Sequence, residues 1–198
     1  MAADRVRTFV ALSMPHAQRA ALGAHLAGCA RRAPGYRWVA PDALHLTLRF
    51  IGQLTPEGLA RVRAALQDVP GRPFRLALTH RGQFGPRSAP RVIWLGVGEG
   101  AEACAELAAG VERACQAAGL DPEPRGFRAH VTLARARSEG GEGERLPALP
   151  DPPPLAPWTV DDFVLYESVL RGGRPPAYVP LHRFPLASSP RCPVSEVR

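Results

Sequence analysis

The chain is predicted to be an α+β protein. Apolar residues at helical spacing alternate with short strand-like runs, several of those runs follow one another with no helix between them, and 45% hydrophobic residues in a chain of 198 suit one globular core. Consecutive strands argue against a doubly wound parallel sheet, which needs a crossover helix after each strand.

The elements follow in order. Residues 8–12 form a short apolar run and read as a buried strand. Ser13 is placed to cap the next helix with Pro15 in its first turn; Leu22, Leu26 and Cys29 repeat at helical spacing, and Pro34-Gly35 ends the element. Residues 36–39 and 44–51 read as strands around the turn Ala40-Pro41-Asp42. Thr55-Pro56-Glu57 carries a cap, a first-position proline and an early acid, so a helix starts there, with Leu59, Val62, Leu66 and Val69 as its apolar stripe. Strands are expected at 74–79 and 91–97. A helix over about 101–118 packs through Cys104, Leu107, Val111 and Cys115 and stops at Gly119. Residues 128–134, 158–168 and 178–186 complete the strands, the last two as a hairpin around Gly172-Gly173. Residues 138–157 are rich in Gly, Pro and Glu without periodicity and read as a mobile loop, because strands on both sides still need partners. The organisation is a single domain over 1–187, with a loosely held tail over 188–198.

Composition excludes several chemistries. All 25 basic residues are arginine, and both lysine and asparagine are absent, the signature of a GC-rich coding bias. The arginine-for-lysine preference is therefore no evidence of RNA binding, although the net charge of +7 favours a polyanionic partner modestly. Without lysine there is no Walker-type phosphate loop, no Schiff base and no lysyl-nucleotidylate. No apolar run approaches the ~20 residues of a membrane span, and the stretch at 9–12 is too brief for a signal-peptide core, so a cytoplasmic protein is expected. Cys29, Cys104, Cys115 and Cys192 show no C-x-x-C spacing. Two of them share one helix ~16 Å apart at ~1.5 Å per residue, beyond disulfide reach. Reduced, structural thiols are expected.

Two tetrapeptides carry the chemistry: His45-Leu46-Thr47-Leu48 and His130-Val131-Thr132-Leu133. In a strand each His and Thr share one face while the apolar partners turn to the core. Six histidines and six threonines would give an H-x-T about 0.2 times by composition alone, so two copies, each followed by leucine, stand well above chance. Opening a cyclic phosphodiester needs a base to activate water on one side of phosphorus and an acid to protonate the departing oxygen on the other. Histidine, with an ordinary pKa of about 6.5, performs either task. Threonine hydroxyls two residues on can donate to the non-bridging oxygens. No nearby carboxylate, cysteine cluster or H-x-x-x-H spacing accompanies the motifs, so neither a metal nor a cofactor is expected. His16, His25, His80 and His182 read as surface or partly packed residues.

The segments LHLTLRFIG (44–52), PRVIWLGV (90–97), FRAHVTLAR (127–135) and LYESVL (165–170), with RTFVAL (7–12) before them, stand in an order that resembles the two-histidine (2H) phosphoesterase superfamily. The similarity is to its RNA 2′,3′-cyclic phosphodiesterase branch, also called 2′-5′ RNA ligase, and covers nearly the whole chain. Ala129 departs from the proline common in relatives, and the 138–157 loop has no counterpart. The resemblance implies two similar lobes, each an antiparallel sheet flanked by helices, facing one another across a central cleft with one motif from each. It also implies His45 as proton donor and His130 as proton acceptor, roles that spacing alone leaves open.

Around the motifs, Arg135 is a candidate to neutralise the phosphate. Strict alternation from His130 would bury it, so it must sit at a strand end or after a bulge. Phe50 and Tyr178 are candidate surfaces for a terminal base. The expected function is hydrolysis of RNA 2′,3′-cyclic phosphate ends to 2′-phosphomonoesters by a monomer, with slow reversible ligation possible. The alternatives are a small cyclic nucleotide or ADP-ribose cyclic phosphate as substrate, and a non-catalytic RNA-binding module.

Overall fold

A computed structural model describes residues 5–137, 146–171 and 174–186. In chain order the elements are β1 (Val6–Ser13), α1 (His16–Arg32), β2 (Tyr36–Trp38), a 3₁₀ turn (Pro41–Ala43), β3 (His45–Leu54), α2 (Pro56–Leu66), β4 (Phe74–Leu76), β5 (Leu78–Phe84), β6 (Val92–Val97), α3 (Ala101–Ala117), β7 (His130–Ala136), β8 (Trp158–Val160), β9 (Asp162–Arg171) and β10 (Arg174–Pro185). The fold is α+β. The main sheet runs β10-β9-β1-β3-β7-β6-β5 with β2 also on β7, and β4 and β8 form a separate pair. Every pairing is antiparallel.

The sheet consists of two four-stranded lobes, β10-β9-β1-β3 and β2-β7-β6-β5. They join where β3 meets β7 through the single pair Leu46↔Val131. Each motif strand is thus the inner strand of its lobe, and the two motifs meet at the junction.

The helices bury the stripes read from their spacing: Leu22, Leu26 and Cys29 on α1, Val62 and Leu66 on α2, and Cys104, Leu107, Val111 and Cys115 on α3. Thr55 caps α2 by accepting from the Gly58 N–H at 3.2 Å. Ser13 does not cap α1. It ends β1 opposite His45, and Pro15 precedes the first helical residue. Cys29, Cys104 and Cys115 are free, buried thiols, and Cys192 lies outside the described residues.

Residues 146–157 form neither helix nor strand, and several bonds hold them against the body. Arg81 donates to the Pro150 carbonyl at 2.9 Å, and Gln18 Nε2 to the Ala156 carbonyl at 3.0 Å. Residues 138–145, Gly172-Gly173, about which a hairpin is expected, and residues 187–198 lie outside the described residues.

One buried charge ties the first lobe to its helix. Arg49, only 5% exposed on β3, pairs with Glu112 of α3 and donates to the Asp121 carbonyl at 2.6 Å. Arg49→Ala removes the charge that faces that carboxylate and the donor to that carbonyl, although Glu112 still accepts from Gln116 Nε2 and the Glu123 N–H. The expected cost is about 3 kcal/mol, the low end of the range for broken buried pairs, because Glu112 also keeps some solvent. Urea denaturation checks this: the midpoint should fall with an unchanged slope.

Candidate active site

The two motif strands are built alike. From His45 to Ile51 and from His130 to Ala136 the exposure pattern is the same: half-buried, buried, half-buried, buried, buried, exposed, half-buried. Both strands carry a bulge at the motif leucine. On β1, Val10 pairs Arg49 and Ala11 pairs Thr47, so Leu48 is passed over; on β6, Ile93 pairs Ala134 and Trp94 pairs Thr132, so Leu133 is passed over. A bulge shifts the alternation by one residue. It sends Arg49 and Ala134 into the core and returns Phe50 and Arg135 to the face carrying the histidines. This is how Arg135 reaches that face despite its odd spacing from His130.

The Leu46↔Val131 pair fixes how the motifs face each other. Carried one residue either way, the register sets His45 opposite Thr132 and Thr47 opposite His130, all four on one face. The histidines are then diagonal neighbours, roughly 7–8 Å apart across the strands, a separation that leaves room for one phosphate between them.

Each ring is oriented by the same bond. His45 Nδ1 lies 2.7 Å from the Ala43 carbonyl, and His130 Nδ1 lies 2.7 Å from the Arg128 carbonyl, in both cases two residues back. A carbonyl only accepts, so Nδ1 must carry the hydrogen in each ring. In the neutral rings that leaves the Nε2 lone pair to take a proton. Burial lowers the pKa of His45 to about 4, with the Ala43 bond opposing and the charges of Arg135 and His130 adding to the fall. Burial also lowers His130, against its Arg128 bond, with Arg135 and Arg128 adding. One guanidinium, Arg135, therefore acts on both rings.

Aromatic rings wall the site on both sides. In the first lobe His45 sits 4.9 Å from Phe9 and 5.0 Å from Tyr178, the latter edge-on. Phe50, 45% exposed, lies 6.2 Å from Phe9 with the Arg125 guanidinium 5.8 Å over its ring. In the second lobe His130 meets Phe84 edge-on at 5.2 Å and Trp94 at 6.1 Å, and Arg128 lies 5.7 Å over each of those two rings. Gly82 makes this possible: a Cβ there would fall 2.1 Å from the Trp94 indole. Tyr178 is thus against the His45 ring, and Phe50 lies further out beneath Arg125.

Phe9, Phe84, Trp94 and Arg128 were not singled out from sequence. Phe9 comes beside Phe50 only through the β1–β3 register, which a bulge next to it shifts, and Phe84 lies on a strand read as ending at Thr79. The other histidines stay apart from the pair: His25 touches Cys29 Sγ at 3.4 Å, His182 packs on Phe184 and His80 on Trp94. Among the described residues, no three His, Cys, Asp or Glu side chains gather as a metal site.

Residues 15–171 match the sequence profile of the 2′-5′ RNA ligase superfamily. A Thermus thermophilus protein named RNA 2′,3′-cyclic phosphodiesterase is 33% identical over 91% of this chain and 90% of its own length. A Geobacillus stearothermophilus protein of the same name is 32% identical over 94% of this chain, which spans only 59% of that relative. The crystal structure of Escherichia coli LigT with 3′-AMP superposes with a TM-score of 0.76 at 29% identity, covering 92% of this chain and 99% of LigT.

Proposed function

The chain belongs to the 2′-5′ RNA ligase superfamily, and on that premise we propose that it hydrolyses RNA 2′,3′-cyclic phosphate ends to 2′-phosphomonoesters. The observation that carries this reading is the pair of H-x-T strands, bulged alike, with both rings held through Nδ1 and both Nε2 atoms left for proton transfer. His130 Nε2 takes a proton from water as the water oxygen bonds to phosphorus. The P–O3′ bond breaks, and His45 Nε2–H protonates the departing O3′. Thr47, Thr132 and Arg135 meet the non-bridging oxygens, where charge builds up. Tyr178 and Phe50 offer surfaces to the terminal nucleoside. Trading water for a 5′-hydroxyl turns the same steps into slow, reversible 2′-5′ joining, with no nucleotidylated enzyme because there is no lysine. A non-catalytic RNA-binding role leaves the paired histidines without purpose. The protein is read as a monomer. No described helix is long and apolar enough to cross a membrane, and three reduced, buried thiols suit a cytoplasmic setting.

The acid role of His45 needs the substrate. With a pKa of about 4 its ring is neutral near pH 7, and the negative charge of a bound phosphate must raise it before it can donate. The productive state has one proton on the pair. Burial holds both rings below the ordinary histidine value, so in the free enzyme that proton is lost on the acid side of the usual histidine range, and protonation of both rings at still lower pH removes the base. The expected kcat/KM profile is a bell centred below the ordinary histidine pKa of about 6.5. The alkaline limb of kcat should lie at higher pH, because phosphate is then bound. Steady-state rates from pH 3.5 to 9 check this, and an alkaline limb in kcat/KM well above neutrality would count against it.

Turnover should also be unchanged in excess EDTA, since two imidazoles supply both proton transfers. Activity that vanishes with chelator and returns with one divalent ion would overturn the mechanism.

A further inference from the structure

Arg37 and Arg135 stand directly opposite one another across the β2–β7 pair. Opposed residues of an antiparallel pair project to the same side, so Arg37 shares the face of His130, Thr132 and Arg135. Like charges so placed repel. Among the described residues no carboxylate pairs with Arg37, Arg135 or Arg137. Arg137, just past the end of β7, donates Nε to the Pro34 carbonyl at 3.0 Å, which anchors its fork and leaves the terminal amines for another acceptor.

Arg37 and Arg137, with Pro34, Trp38 and Pro175, line a cavity of about 330 Å³. Pro175 belongs to β10, which runs from there to Tyr178 against His45. Arg135 links the two places, lying opposite Arg37 while its charge reaches both catalytic rings and Tyr178. From Thr132 to Arg135 is about 10 Å at ~3.3 Å per residue, and Arg137 lies roughly 7 Å further. Arg135 with Arg37, and then Arg137, therefore lie at increasing distance from the motif threonine, as the successive phosphates of a strand leading away from the reacting end would.

We propose that this cavity is a subsite for the RNA strand behind its cyclic end, with Arg37 and Arg137 binding upstream phosphodiesters. The proposal rests on the hydrolytic reading above and extends it, because it makes the enzyme select an oligonucleotide over a mononucleotide. An upstream phosphate also offsets the Arg37–Arg135 repulsion that the fold leaves unneutralised.

The test compares Arg37→Gln, Arg37→Lys and the double variant Arg37→Gln/Arg137→Gln on two substrates, a tetranucleotide with a 2′,3′-cyclic phosphate end and a 2′,3′-cyclic mononucleotide. On the tetranucleotide, Arg37→Gln should lose about tenfold in kcat/KM through KM, the order of one charge-assisted contact. The double variant should lose more and flatten the log–log salt dependence by about one to two. Arg37→Lys, which keeps the charge, should retain most of the activity. All variants should stay within about twofold of wild type on the mononucleotide, which carries no upstream phosphate. Equal losses on both substrates, or no loss on the tetranucleotide, would overturn the subsite and leave the hydrolytic reading standing. A wild-type protein that hydrolyses neither substrate overturns both.

Discussion

Replacing either His45 or His130 with Ala is expected to lower turnover by about 10²–10⁴. Each ring is hydrogen-bonded through Nδ1 to a carbonyl two residues back and packs on the aromatic rings of the site, so truncation removes the proton-transferring nitrogen together with some packing at the face of the sheet. Circular dichroism should therefore match wild type, with melting lowered by the lost ring contacts but still cooperative. The roles separate through pH. Without its acid, His45→Ala should lose the alkaline fall of kcat, while His130→Ala should lose the acidic fall and gain rate from added hydroxide. The two act as one unit, so the double variant should cost far less than the product of the single losses. A folded variant that keeps full activity would remove that histidine from the mechanism.

Thr47→Val and Thr132→Val should each cost about 10² in kcat, the scale for losing one hydrogen-bond donor to a developing oxyanion. The change keeps side-chain shape and deletes only the hydroxyl. Both threonines are half-buried on the histidine face, beside the opposite lobe's histidine in the β3–β7 register, so they can grip the same phosphate from two sides. KM should move much less than kcat, because the bond strengthens as charge builds. Ser at either position restores the hydroxyl and should recover most of the rate. If Val variants raised KM alone, the threonines would bind substrate without favouring the transition state.

The strands bearing the motifs were legible because period-two alternation governs both: His and Thr on one face, Leu46, Leu48, Val131 and Leu133 in the core. The bulges were not legible. Sequence required some break in alternation to expose Arg135, but only the skipped pairings at Leu48 and Leu133 show that both lobes use the same device. The one strand read at 74–79 is two, β4 paired with β8 and β5 paired with β6; β5 runs on to Phe84 although Thr79 to Gln83 is polar on both faces, because its ladder with β6 rather than its composition holds it extended. Ser13 looked like a cap because Ser before a helix usually is one, yet pairing with His45 keeps it in the sheet. Arg37 drew no attention because its meaning comes entirely from β2 lying beside β7, a contact between residues about a hundred positions apart.

The most direct test is to incubate the protein, in EDTA, with an RNA oligonucleotide bearing a 2′,3′-cyclic phosphate and to determine which hydroxyl of the product carries the phosphate. Quantitative conversion to the 2′-phosphomonoester, absent in His45→Ala and His130→Ala, is the expected result. An intact cyclic end, or a 3′-phosphate product, would contradict the account.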